Sequence, residues 1–148
     1  MNLSNISEIK ISYIPKFKNK DLPKIDSSLT ASKLVKQNWD DIDYYESFAI
    51  LLLNRANKVL GMRTISTGGI SGTVVDPKLI FQAALKANAS GIILVHNHPS
   101  GNIQASEADK KITNKIISGG KFLDITVLDH LIITSDSYLS FADKNLLL

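Results

Sequence analysis

Two of the chain's three histidines, His96 and His98, stand two residues apart in LVHNHPSGNIQASEAD (94–109), and this stretch ends on Asp109. In an extended segment residues i and i+2 share a face, so both imidazoles can aim at one point. Pro99 cannot continue a strand ladder and Gly101 lets the chain turn. Asp109, in the first turn of a following helix, can then swing back to the same point. Two neutral imidazoles and a carboxylate match the ligand pattern of a catalytic zinc, one ion per chain, with a fourth position left for water. Such a site lowers the pKa of that water to about 7 and supplies hydroxide at neutral pH.

A plainer reading uses the same residues. Ser106 and Asp109 have the Ser-x-x-Asp spacing of a capping box, and a strand-end histidine is often only a satisfied polar group. The coincidence of two of three histidines at strand spacing beside a carboxylate favours the metal. Cysteine chemistry and two common zinc motifs are excluded. The chain has no cysteine, which removes disulfides, thiol nucleophiles and thiolate sites. Neither His-Glu-x-x-His nor the Cys-x-x-Cys of zinc deaminases is present.

The elements that must position these groups can be read from periodicity. SGIILVHNH (90–98) is a buried strand running into the histidines, and SEADKKITNKIISGG (106–120) is a helix ended by Gly119 and Gly120. DPKLIFQAALKANA (76–89) is a helix with Asp76 as N-cap and Pro77 at its first position. ESFAILLLN (46–54) and KVLGMRTIST (58–67) form a hairpin, and GGISGTVV is a flexible joint leading into another extended piece. SSLTASKLVKQNW (27–39) reads as a helix with Leu29, Leu34, Val35 and Trp39 as apolar positions. EIKISYI (8–14) alternates as a strand does, LDITVLD and HLIITSD are late strands, and SYLSF closes the chain. Helices alternating with strands, with hairpins among them, describe an α/β or α+β fold with helices packed on a mixed sheet.

The 148 residues suit one domain, read as a basic N-terminal extension over 1–25 and a folded domain over 26–148. A hydrophobic fraction of 44% and a charged fraction of 21% argue against wholesale disorder. No apolar run approaches the roughly 20 residues that span a bilayer, and MNLSNISEIK has no signal-peptide pattern; the expectation is no membrane partner and a cytoplasmic protein. The net charge of +3 resides in the extension, where Lys10, Lys16, Lys18, Lys20 and Lys24 face only Glu8 and Asp21. Such an arm can add phosphate contacts to DNA, or can be an edge strand kept soluble by lysines.

His-x-His, seven residues, Ser, two residues and Asp resembles the signature of the JAMM motif in JAB/MPN domains, and HNHPSG resembles its RadC branch. ESFAILLLN, ISTGG, DPKLIFQAALKANASGIILVHNHPSG and DHLII follow in the branch's order, so the resemblance covers roughly residues 40–142. It implies a JAB/MPN (cytidine-deaminase-like) architecture, with His96, His98 and Asp109 as zinc ligands. It also implies that Ser106 stabilises an oxyanion and that Glu46 is general acid/base, a residue otherwise readable as a charge opening a strand beside DDIDYYE. Asp129 and His130 match the branch's Asp-His pair; strand alternation lets at most one of them face the site, and neither is counted as a ligand. Two departures stand out. The loop before Ser106 has Ile103 and Ala105 where the branch usually has prolines, and residues 1–40 hold no helix-hairpin-helix module of the kind longer members carry.

The implied activity is a zinc-dependent hydrolase of a peptide or isopeptide bond, with a protein or peptide as substrate. The competing reading is a non-enzymatic accessory factor linked to DNA repair or mobile DNA. A metal-dependent nuclease is disfavoured, since Arg55 and Arg63 are the only arginines available for a phosphate.

Overall fold

An unbroken apolar run such as SFAILLL has no polar face to offer water, so it must be covered on both sides. The computed structural model, which describes residues 4–68 and 73–147, does this with three helices around one five-stranded sheet. The strands are β1 (Ser47–Leu53), β2 (Val59–Thr67), β3 (Gly91–Asn97), β4 (Thr126–Ile133) and β5 (Tyr138–Ser140). They lie in the order β2-β1-β3-β4-β5, with β3 and β4 parallel and every other neighbouring pair antiparallel. This is the mixed sheet with flanking helices that the sequence predicts, an α+β domain of JAB/MPN type.

Alternation along the central strands sorts side chains between two layers. Phe48, Ile50, Leu52, Ile92 and Leu94 face helices α2 (Pro77–Lys86) and α3 (Glu107–Leu123), packing with Ile80, Ala84 and Ile116. Leu51, Leu53, Ile93, Val95, Leu131 and Ile133 face helix α1 (Ser28–Gln37), packing with Ala31 and Val35. In α1 the expected apolar positions divide: Val35 is fully buried, Leu34 and Trp39 are partly so, and Leu29 stays exposed. The α2 start is as expected, with Asp76 accepting from Lys78 N–H and Pro77 in the first turn.

Three expectations are corrected. Residues 8–14 form no strand: Ile9 is 84% exposed, and the segment is tied to β2 by Tyr13 Oη donating to the Leu60 carbonyl rather than by a ladder. Alternation is not sufficient for a strand when no sheet edge takes up the backbone; among the described residues the extension's backbone meets the sheet edge only at its end, where Lys24 bridges to Lys58 just before β2. Helix α3 does not end at Gly119–Gly120 but runs to Leu123, capped by Asp124 in the left-handed conformation. The glycines serve close packing instead, since a Cβ on Gly120 would lie 2.3 Å from the Ile125 carbonyl oxygen. LDITVLD and HLIITSD are a single strand, β4, carrying a bulge: Ile92 pairs with Val127 but Ile93 pairs with Asp129, which leaves Leu128 without a partner. Half of the expected glycine-rich joint (68–75), residues 69–72, lies outside the described residues.

Candidate metal centre

β3 delivers the histidines as its spacing demands. His96 continues the face of Ile92 and Leu94 toward α3, stacked on Phe48 with ring centroids 6.0 Å apart. His98 follows one residue beyond the strand's end. Their Nε2 atoms lie 2.9 Å apart. Asp109 comes from the first turn of α3, with Oδ1 3.2 Å from His96 Nε2 and Oδ2 3.8 Å from His98 Nε2. Glu46, immediately before β1, brings Oε1 to 3.5 Å from His98 Nε2. Glu46, His96 and His98 each offer one ligand atom within 4.8 Å of the others. Four of the five site residues named from the sequence thus converge.

Ser106, the fifth, stands one step back. Its Oγ accepts from Asp109 N–H at 3.0 Å, while its own N–H donates to Asp109 Oδ2 at 2.8 Å. The capping box and the candidate site therefore share their residues: the cap holds the Asp109 carboxylate in the first turn, facing the histidines. Burial pushes the Asp109 carboxyl up, but hydrogen bonding and charge from His96, with the Ser106 bonds, outweigh it and hold the group well below the usual carboxylate range.

The donor set fits a divalent cation of the zinc type. His98 Nδ1 lies 2.6 Å from the Asn102 carbonyl oxygen, an atom that only accepts. His98 Nδ1 therefore carries a proton, which leaves Nε2 as the ring nitrogen that faces the cluster and is available to an ion. Lone pairs on imidazole nitrogen and carboxylate oxygen, gathered this closely, are the borderline-soft ligand mix that zinc takes. Beside them a cavity of about 180 Å³ is lined by Phe48, Val75, Ala108 and Ile112, together with Glu46, His96, Thr73 and Asp109.

Several further residues shape this site. Asn97, between the histidines and fully buried, turns to the opposite face of β3. Its Oδ1 accepts from Ser47 N–H, and its Nδ2 donates to the Ile42 and Tyr45 carbonyls, all at 2.8 Å. It thereby fastens the segment on either side of Glu46. Such a role was invisible in the sequence, where Asn97 is only a spacer between two histidines. The Asp129–His130 pair divides as alternation requires. Asp129 accepts from His130 N–H, Ala142 N–H and Ser140 Oγ–H, binding β4 to β5 and the chain after it. Burial pushes its carboxyl up, against these bonds. His130 faces the site, its Nε2 2.8 Å from His96 Nδ1. It is fully buried, and burial, reinforced by the neighbouring histidines, holds its basicity well below the ordinary imidazole range.

A mixed sheet carrying two histidines and a glutamate at the end of adjoining strands, faced by a capped aspartate, defines a JAB-type domain with a candidate metal centre. The chain belongs to the RadC family: the family described as RadC-like JAB domain matches residues 25–146. A UPF0758 protein of Flavobacterium johnsoniae is 46% identical over 125 residues, which is 84% of this chain and 54% of that protein. UPF0758 proteins of Chlorobaculum parvum and Psychromonas ingrahamii are 41% and 46% identical, over 69% and 68% of this chain and 46% and 44% of theirs. The chain thus spans about half the length of the curated relatives it matches. No helix among the described residues is long and apolar enough to cross a membrane.

Proposed function

We propose that this domain is a zinc-dependent hydrolase of JAMM type that cleaves a peptide or isopeptide bond, in the cytoplasm. The observation that carries the reading is the Glu46 carboxylate 3.5 Å from His98 Nε2, the same nitrogen that Asp109 Oδ2 approaches at 3.8 Å. His96, His98 and Asp109 would hold the ion. A zinc ion there supplies Lewis acidity, which lowers the pKa of a water to about 7. Glu46, which this reading keeps outside the ligand trio, would take a proton from the attacking water and hand it to the leaving amine. Ser106 Oγ, which accepts from Asp109 N–H, keeps its own proton to give to a developing oxyanion. The cavity beside Glu46 offers an apolar wall against which a substrate side chain can lie.

The test is zinc content and hydrolysis of a panel of fluorogenic peptide and isopeptide amides by the purified chain. Wild type should carry one zinc, and His98→Ala and Asp109→Ala should lose it. Glu46→Gln should keep zinc while kcat falls by about 10²–10⁴. Loss of zinc from Glu46→Gln would make Glu46 a ligand rather than a base, and wild type without stoichiometric zinc would sink the proposal.

A second reading, an accessory factor that binds DNA, is favoured by the exposed lysines at 10, 16, 18, 20 and 24. It calls for salt-dependent duplex binding that is lost when residues 1–25 are removed. Equal affinity after that removal excludes the arm as the binding element.

A further inference from the structure

The ligand role of His96 requires its Nε2 lone pair to be free, and hence its ring proton to sit on Nδ1. Nothing in the ring itself chooses between the two tautomers. The choice passes inward, through side chains outside the set that the sequence singles out as site residues. His96 Nδ1 meets His130 Nε2 at 2.8 Å, and His130 Nδ1 meets Thr113 Oγ1 at 2.6 Å. Thr113 Oγ1 in turn lies 2.6 Å from the Asp109 carbonyl oxygen. Thr113 and His130 are both fully buried, so no water competes for these bonds.

The last contact sets the direction of the whole chain. A carbonyl oxygen cannot donate, and two oxygens 2.6 Å apart repel unless a proton lies between them. That proton can come only from the Thr113 hydroxyl, which has one to give. Thr113 Oγ1 must then accept from His130, whose proton is on Nδ1. In the neutral ring His130 Nε2 is left as an acceptor, and the proton in its contact with His96 belongs to His96 Nδ1. In a neutral His96, the form a metal ligand takes, the proton-free nitrogen is therefore Nε2, the one that faces His98 and Asp109.

We propose that Thr113 and His130 are positioning residues that hold His96 as its Nδ1–H tautomer, through a hydrogen-bond chain anchored on the backbone carbonyl of Asp109. The chain starts on one proposed ligand residue and ends on another. Helix α3 thus supplies the Asp109 carboxylate to the ion from its first turn and, through the carbonyl of the same residue, sets the tautomer of the histidine opposite. This rests on the proposed metal-centre reading, which assigns His96 as a ligand.

The experiment uses the full chain. Long-range ¹⁵N–¹H spectra of the ring nitrogens in the metal-free wild type should show His130 and His96 each protonated on Nδ1. Zinc titration against a chromophoric chelator should show Thr113→Val binding about 10–100-fold more weakly than wild type, the usual effect of losing an outer-shell partner. Thr113→Ser, which keeps the hydroxyl and drops only a methyl group, should bind within about threefold of wild type, far inside that loss. An Nε2–H tautomer of His130 overturns the proposal. So does Thr113→Val binding zinc as tightly as wild type, or Thr113→Ser weakened as much as Thr113→Val, which would mark a packing role. Wild type that binds no zinc refutes the metal centre instead, and the ring-nitrogen spectra still decide the hydrogen-bond chain by themselves.

Discussion

Replacing Asn97 by alanine tests how Glu46 is held, and the structure sets the size of the effect. The carboxamide serves three backbone groups: the Ser47 N–H and the carbonyls of Ile42 and Tyr45. All three belong to the stretch that carries Glu46 into β1, and Asn97 itself is fully buried. An unsatisfied buried polar group costs about 1–3 kcal/mol, and the two carbonyls, being only partly buried, fall at the low end, so the loss should total about 4 kcal/mol. For a chain of this size that corresponds to a fall in Tm of roughly 8–16 °C. Asn97→Asp should be no gentler, since it would set a carboxylate oxygen against two carbonyl oxygens in a buried place. Urea denaturation supplies the free energy. Amide hydrogen exchange at 42–47 shows whether the loss is local, with protection expected to collapse there before the β3 amides. A denaturation midpoint for Asn97→Ala equivalent to less than about 0.5 kcal/mol of loss would refute the claim that this side chain holds the strand entry.

Three other outcomes follow from the packing and the charges. Gly120→Ala should destabilise by about 3 kcal/mol, because its Cβ would strike the Ile125 carbonyl at 2.3 Å. Gly119→Ala should cost distinctly less, because it meets only the Phe81 ring at 2.8 Å, and equal denaturation midpoints for the two would contradict this. Asp129→Ala strands the His130 and Ala142 N–H groups and the Ser140 hydroxyl, a loss of about 3 kcal/mol measurable by urea titration. Because the Asp109 carboxyl is held below its ordinary 3.8, the unfolded chain takes up that proton first as pH falls. Its contribution to stability is present above the ordinary value and lost as pH drops through the folded one. The acid limb of the stability curve should therefore be shallower in Asp109→Asn, and an unchanged slope would count against the assignment.

What was legible in the sequence was whatever local chemistry decides. The Asp76–Pro77 helix start, the hairpin of β1 and β2 and the histidine spacing all depend on near neighbours, and each is found in place. Partners distant in sequence were not legible. The strand expected at 8–14 has the right alternation, yet no edge of the sheet accepts it, and a ladder needs two sides. Gly119 and Gly120 carry the mark of a helix end, but a neighbour 2.3 Å away is a tertiary fact. Thr113 and Asn97 gave no signal at all, because a buried threonine or asparagine is recognised only through the groups it bonds. Glu46 became a candidate through the family resemblance, and the fold brings it to His98 across 52 residues of chain.

The unpaired Leu128 has a consequence for how this strand can change. Up to Val127 the strand keeps one odd-even assignment, and from Asp129 on it keeps the other, so His130 faces α3 because of a count rather than a preference of its own. The aliphatic neighbours Leu131, Ile132 and Ile133 could trade faces and still seal a core, but a histidine and an aspartate cannot. Substitution in β4 should therefore be tolerated more readily than the gain or loss of a single residue, which would turn the imidazole toward α1 and the carboxylate toward the centre. In this strand, residue number is under tighter constraint than residue type.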